Sequence, residues 1–182
     1  METTIQVHKM TLPLDQIRNA ASDPEAMLQV YEAYYERIYR FLYTYTGSPD
    51  DAQDIASQTF LTAFKALPGL HDPQRFTAWL FQIARNHARD HFRRQKHRRH
   101  EPIDEELHDS AELNQDQRIF IQQLINGLPE EEQDLIRLHL VAKLTFKETA
   151  RVLRQPEARI KKRYYRLLDR LSSSLENDDD QL

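Results

Sequence analysis

Cysteine is absent from the 182 residues, so the chain has no disulfide framework and no thiolate chemistry. Glycine occurs three times, which leaves no Gly-rich phosphate loop. No apolar run is long enough to span a bilayer and there is no signal-peptide pattern. A soluble, cytoplasmic protein without membrane insertion is therefore expected. Scarce glycine beside abundant Ala, Leu, Glu, Arg and Gln predicts an all-α fold. The length allows one domain or two small ones. Hydrophobic residues make up 40% of the chain, enough for compact cores of modest size.

What is present is charge, and it is segregated. The net charge of −4 averages over blocks of opposite sign. Seven of the residues from Arg85 to Arg99 are Arg or Lys, against the single acid Asp90. Glu101 to Asp116 then carries seven acids and no Lys or Arg. Arg151 to Arg170 carries eight basic residues against Glu157 and Asp169, and Glu176 to Asp180 is acidic again. Partners meet these local fields, not the average.

The stretch Phe76–Arg99 organises the chain. It has neither Gly nor Pro to stop a helix. Trp79, Leu80, Ile83, Ala84 and Ala88 recur at three- and four-residue steps as a core stripe. Phe81, Arg85, Arg89, Arg93 and Lys96 recur on a second, cationic face that includes an aromatic. Such a face suits a polyanion with stackable bases. It is equally what a solvated basic helix end looks like, since cations near a helix C-terminus are favourable in any case.

Two helices precede this one. Asp23-Pro24 is a start signal, and Gly47 a stop, for a helix from Pro24 to about Tyr45, with Leu28, Tyr31, Tyr35, Ile38 and Leu42 as its apolar face. Ser48-Pro49-Asp50-Asp51 starts the next, which should bury Ala52, Ile55, Ala56, Thr59, Phe60 and Ala63. Its polar face carries Asp51, Asp54, Gln58 and Thr62, either simply solvated or a docking surface. Pro68-Gly69 ends it. Leu14 to Ala21 is a candidate short helix.

After the basic helix, residues 101–117 have the composition of an acidic flexible linker. Helices are expected from Gln117 to Asn126 and from Glu130 to about Ala142, the second with three acids in its first turn to suit the macrodipole. Thr145 and Glu148 have capping-box spacing. They open a short helix to about Leu153. Arg154-Gln155 is a tight turn, and a long helix follows from Pro156 to about Ser173. Short helix, turn and second helix make a helix-turn-helix pattern. Ile160, Tyr164, Leu167, Leu168 and Leu171 form the core stripe of the last helix. Arg159, Arg163, Arg166 and Arg170 form a separate row, flanked by Lys161 and Lys162. Arginine along an outer face fits major-groove docking, by forking onto guanine edges or binding phosphate.

In this order the two blocks resemble a bacterial RNA polymerase sigma factor, sigma-70 family, of the extracytoplasmic-function (ECF) group. In the first block the resemblance rests on Tyr39-Arg40-Phe41, Gly47, Asp50 to Ile55, Gln58-Thr59-Phe60, Ala63-Phe64, Phe76 to Asn86, and Asp90 to Arg94. In the second it rests on Leu128-Pro129, Phe146 to Ala150, Val152-Leu153 and Ile160-Lys161, a looser match.

The resemblance implies an all-α protein of two small helical domains joined by the acidic flexible linker, the second a helix-turn-helix. The implied boundaries are an extension at 1–22, a domain at 23–100, the linker at 101–117, the helix-turn-helix domain at 118–175 and an acidic tail at 176–182. Asp51, Asp54, Gln58 and Phe60 would dock on the clamp helices of the largest subunit of core RNA polymerase. His71, Arg75, Phe76, Phe81, Arg85, Arg89 and Arg93 would hold the melted −10 element, with a base flipped from the stack. Glu157, Arg159, Lys162, Arg163 and Arg166 would read the −35 element as duplex. The linker would thread toward the RNA exit channel, and an anti-sigma partner is implied. No cofactor is.

The last helix-turn-helix departs from the family pattern. Arg154 stands where the family usually has Gly, and a left-handed conformation there would cost arginine roughly 1 kcal/mol, so a different turn is expected. Pro156 stands where a small hydroxyl residue usually caps the helix. Arg159 and Lys162 replace the usual Thr and Ser, which bears on −35 sequence preference more than on DNA binding.

Two other readings compete. A stand-alone helix-turn-helix regulator would bind duplex DNA without polymerase, but the first block shows no ligand-pocket signature. An enzyme would need more than the His71-Asp72 pair, which precedes Pro73 in a loop. His87 and His91 sit four apart, as metal ligands on a helix can. No Glu follows His87, however, and His97 and His100 lie in a basic run that repels cations. The chain is therefore read as a non-enzyme.

Overall fold

The computed structural model describes residues 12–98 and 122–179, and every regular element among them is helical. The expected linker at 101–117, the start of the helix expected from Gln117, and most of the N-terminal extension lie outside the described residues.

Local sequence accounts for the helix ends. α1 (Leu14–Asn19) packs against α2 (Pro24–Thr46). The Asp23 carboxylate caps α2 by accepting from the Glu25 and Ala26 amides at 3.1 and 3.4 Å. Gly47 closes it at φ +71°, in the left-handed region. α3 (Pro49–Ala66) starts where Ser48 Oγ accepts from the Asp51 amide at 3.3 Å. Two single 3₁₀ turns, Leu67–Gly69 and Pro73–Arg75, lead to α4 (Phe76–Arg98). α2, α3 and α4 pack on one another around Tyr34, Ile38, Phe41, Phe60, Leu80 and Phe81. Edge-on aromatic pairs, Phe41–Phe81 at 5.4 Å and Tyr34–Phe76 at 5.3 Å, each add about 0.5–1.5 kcal/mol beyond area burial.

The second unit begins with the helical residues 122–126 (α5). α6 (Glu130–Ile136) continues without a break into a π turn, Arg137–Val141. α7 (Phe146–Leu153) opens with the anticipated capping box. The Thr145 hydroxyl accepts from the Glu148 amide at 3.2 Å, and the Glu148 carboxylate accepts from the Thr145 amide at 2.8 Å. α8 (Glu157–Asp179) runs beyond the expected Ser173 into the acidic tail. α6, α7 and α8 enclose a second core of Leu135, Ile136, Ala150, Ile160, Tyr164 and Leu167.

The two units are in contact. Leu138, Ala142, Leu144 and Val152 of the second unit belong to the core of the first. The Arg37 guanidinium donates from Nε to the Ala142 carbonyl at 3.0 Å.

Three expectations are corrected. The buried stripe of α2 is Ala26, Val30, Tyr34, Ile38, Phe41 and Leu42, while Leu28 is exposed and Tyr31 and Tyr35 are only half-buried. Apolar residues line two faces of this helix, and periodicity alone cannot choose between them; Tyr31 and Tyr35 instead form a side seam with Phe60 at 4.8 and 6.4 Å. Leu168 is 37% exposed, because it lies at the edge of the stripe that Ile160, Tyr164, Leu167 and Leu171 turn toward the second core. The turn at Arg154 does not differ from the left-handed form: Arg154 takes φ +54°, ψ +43°.

Two measurements test this packing. A Cβ at Gly47 would meet Gln122 Nε2 at 2.5 Å, the end of a side chain that can swing aside, so the backbone dominates. Gly47→Ala should cost about 1 kcal/mol, read as a lower urea midpoint at unchanged slope. His139 stacks on Phe146 at 4.0 Å, and its Nδ1–H donates to the Leu144 carbonyl at 2.7 Å. Burial pushes the imidazole below its ordinary value, and the Leu144 carbonyl offsets part of this. As pH falls below about 6.5 the unfolded chain takes up this proton first, so stability is lost from there down through the lowered folded value. His139→Phe should flatten that loss in denaturation midpoints measured between pH 7 and pH 5.

Candidate nucleic-acid interface

Two cationic helices from different units face one acidic turn. α4 offers Arg85 and Arg89, and α8 offers Arg163 and Arg170. Between them lies the start of α6, with Glu130, Glu131 and Glu132 in its first turn and Asp134 just beyond. The acids divide the arginines one to one. Glu130 pairs with Arg89, Glu131 with Arg163 at 2.5 Å, Glu132 with Arg170, and Asp134 with Arg85 at 2.5 Å.

Asp134 is the buried member of the set. It accepts from Arg85 through Nε at 2.9 Å and Nη2 at 2.5 Å, and it also accepts the Tyr45 hydroxyl proton. Burial, the Asp134 charge and this hydrogen bond all push the Tyr45 hydroxyl up, so it stays a donor. Burial pulls the Arg85 guanidinium down, but its bond to Asp134 and the charge there outweigh that and hold it raised. Arg137 lies over the Tyr45 ring at 4.1 Å and donates to Gln133 at 2.9 Å and Asn126 at 3.0 Å.

The residues proposed from sequence fall into three groups. On α3, Asp54 and Gln58 are exposed and Asp51 is partly so, 3.5 Å from His91 Nε2. Phe60 is 3% exposed and belongs to the core, so it lies beneath this face and not on it. Leu61, which sequence reasoning passed over, is 58% exposed beside Gln58. Its signal was available: positions 54, 58 and 61 share one helical face.

On α4 and the preceding loop, His71 and Arg75 are exposed, Arg75 being held by Asp72 at 3.0 Å. Phe76 and Phe81 are both buried, and Phe81 is not the aromatic tip of the cationic face. That end of α4 lies under α2, with Phe81 beneath Arg37 at 5.5 Å. The exposed aromatic is Phe92, at 48%. It stands seven residues from Arg85 on the same face, where α4 has emerged from its neighbours. Arg93 is exposed and pairs with Asp90 at 3.1 Å. His87 and His91 turn toward α3, His87 Nε2 lying 3.2 Å from the Thr62 hydroxyl. Among the described residues no group of three or more His, Cys, Asp or Glu side chains is placed to hold a metal.

On α8, Arg159, Lys162, Arg163, Arg166 and Arg170 line one cleft with Glu132. Glu157 pairs with Lys161 at 2.8 Å. No helix among the described residues is long and apolar enough to cross a membrane.

Two helical units, the second a helix-turn-helix with a cationic outer row, define a class of DNA-binding protein. Comparison with known proteins narrows it. The family model for Sigma-70 region 2 matches residues 30–98, and that for Sigma-70, region 4 matches residues 121–171. The chain belongs to the sigma-70 family, in its ECF group, and is a DNA-binding factor of transcription initiation. It is 29% identical over 170 residues to the ECF RNA polymerase sigma factor BldN of Streptomyces coelicolor, covering 88% of this chain and 64% of that protein. It is 28% identical over 153 residues to SigM of Bacillus subtilis, covering 80% and 92%. Among solved structures it resembles CnrH, determined with the cytosolic domain of CnrY, at a TM-score of 0.71 and 23% identity over 91% of this chain and 97% of that one. It also resembles RpoE of Bartonella quintana, determined with the anti-sigma factor NepR, at 0.67 and 20% over 84% and 98%. At these identities the structural likeness speaks for the fold.

The shared carboxylate invites one measurement. Tyr45→Phe leaves Asp134 to Arg85 alone and should lower stability by about 1–2 kcal/mol in urea denaturation, the effect of removing one partner from a buried polar pair.

Proposed function

We propose that this chain binds core RNA polymerase and directs it to promoters, with residues 23–100 docking on the polymerase and holding the melted −10 strand and residues 118–175 reading the −35 duplex. The observation that carries this reading is the separation of faces on the first unit. α3 presents Asp54, Gln58 and Leu61 outward, an acidic face with one apolar anchor that suits a protein partner. α4 presents Arg89, Arg93 and the exposed Phe92 elsewhere, with Arg85 half-buried against Asp134 at the same face, a face that suits a strand with unstacked bases. A stand-alone regulator needs only the second unit's cationic row and leaves the α3 face without a use.

In this reading Asp51, Asp54, Gln58 and Leu61 meet the clamp helices of the largest polymerase subunit, and Phe60 holds their helix in place. His71 and Arg75 in the loop, with Arg85, Arg89, Phe92 and Arg93 on the helix, line the path of the non-template strand. Phe76 and Phe81 support that surface from within. Arg159, Lys162, Arg163 and Arg166 contact the −35 duplex, with Glu157 at the helix start. An anti-sigma partner is supported by the family membership and by the likeness to RpoE, which was determined with the anti-sigma factor NepR. The polymerase supplies the chemistry.

Purified chain mixed with bacterial core polymerase should comigrate as a stoichiometric complex on size exclusion. Asp54→Arg should abolish comigration while leaving the circular dichroism spectrum unchanged. A complex that persists refutes the assignment of the α3 face. Salt-sensitive duplex binding by the chain alone, with no polymerase complex, would favour the stand-alone regulator. Arg163→Ala should cost about 1–3 kcal/mol if it reads a base, or lower the salt slope by about one if it binds phosphate.

A further inference from the structure

The geometry points to a −35 element built on two neighbouring G·C pairs, read in the major groove by Arg159 and Lys162, with Arg163 as a positioning contact to phosphate. The inference rests on the reading of α8 as the helix that meets the −35 duplex. It adds which cations of that helix read bases and which base they select.

The cations of the turn and of α8 are not equivalent. Arg154 takes no part in the outer row: with the Gln82 amide oriented so that its oxygen faces α7, Arg154 donates to it from Nε and Nη2 at 3.0 and 2.8 Å. Lys161 is drawn back to Glu157 at 2.8 Å and lies 5.8 Å from the centre of the Phe146 ring. Arg170 pairs with Glu132. The Arg163 side chain is 16% exposed, with Nη1 donating to Gln155 Oε1 at 3.3 Å and Nη2 to Glu131 at 2.5 Å. Bidentate reading of guanine needs two N–H groups of one fork aimed at O6 and N7. Each fork of the Arg163 guanidinium includes a terminal nitrogen that is already engaged. Its remaining N–H groups can still meet a phosphate oxygen.

Arg159, Lys162 and Arg166 stand apart. All three are exposed, and none makes an ion pair or side-chain hydrogen bond among the described residues. Ile160, Tyr164 and Leu167 face the second core and leave these cations on the outer side. Like charges three residues apart on a helix repel. Elsewhere on α8 acids offset the cations; at Arg159 and Lys162 an acceptor-rich surface brought from outside would do so. Depth along the helix divides the three. In a helix-turn-helix the N-terminal residues of the second helix reach base edges. α8 begins at Glu157, so Arg159 and Lys162 fall within its first two turns. They are about 4.5 Å apart along the axis, close to the roughly 3.4 Å between successive base pairs. Arg166 lies about 10.5 Å from Arg159 along the axis, beyond those turns, and is left to the backbone. Guanine alone offers two acceptors, O6 and N7, on its major-groove edge. Thymine offers one acceptor beside a methyl group, and the amino groups of adenine and cytosine would set a donor against side chains that have no acceptor.

Selection from duplexes carrying a randomised segment, run with the full chain alone and with the full chain bound to core polymerase, tests this assignment. The retained sequences should share two neighbouring G·C pairs. Arg159→Thr should relax the preference at one of them and Lys162→Ser at the other, each by about tenfold against the next best base, which corresponds to about 1.4 kcal/mol. Arg163→Ala should weaken binding to all sequences alike and lower the salt slope by about one, as loss of a phosphate contact does. Retained sequences without the paired G·C, no enrichment in either form, or variants of Arg159 and Lys162 that lose affinity with sequence preference intact overturn the inference. Comigration with core polymerase is scored separately. Paired guanines selected by a chain that does not comigrate would sink the sigma reading and uphold the base assignment; a polymerase complex indifferent to them would do the reverse.

Discussion

One buried carboxylate sets the geometry. Taking Asp134 out of water without partners would cost several kcal/mol. It is therefore tolerated only where Arg85 and Tyr45 both reach it. Those two groups come from α4 and α2 of the first unit, while Asp134 sits on α6 of the second. The requirement that one charge be satisfied thus fixes three helices from two units relative to one another. The first turn of α6 follows: with Asp134 pinned, Glu130 is carried to Arg89, and Glu131 and Glu132 are turned toward α8.

Apolar contacts agree with this placement. α6 and its continuation serve both cores, Leu135 and Ile136 facing the second and Leu138 and Ala142 the first. A purely polar junction would be readily displaced by solvent, and a purely apolar one would define neither register nor orientation. Here a buried charge specifies the position and aliphatic contacts hold it. The exposed outer acids remain responsive to ionic conditions and to competing anions.

Much of this was legible in the residues, for reasons that differ by element. Helix starts at Asp23, Ser48 and Thr145 were readable because a cap depends on residues within three positions. The inner face of α3 was readable in full because only one of its faces is apolar. α2 was not, since its two aromatic faces cannot be ranked without knowing which neighbour lies where. Phe81 lay on the cationic face by spacing, yet it is buried; whether a face is covered changes along a helix as its neighbours end. Phe92 lay on the same face and is exposed for the same reason. The acids at 130–132 read as ordinary complements to a helix dipole, and nothing local points to arginines some forty residues away on one side and thirty on the other. Arg154 showed itself as an anomaly in sequence, and only the fold supplied the group its side chain reaches.

The π turn at Arg137–Val141 carries a consequence for how this chain can vary. In a regular α-helix each residue advances about 100°. The extra residue in this turn shifts the phase partway along, so Leu138 and Ala142 reach the first core while Leu135, Ile136 and Val141 pack against the second. Losing one residue here would restore a regular helix and rotate everything beyond it by about that angle, turning Leu144 away from the first core and α7 with it. Insertions and deletions should thus be tolerated in the loops of lineages related to this one and purged from this single turn, making its length a more constrained character than the identity of any residue within it.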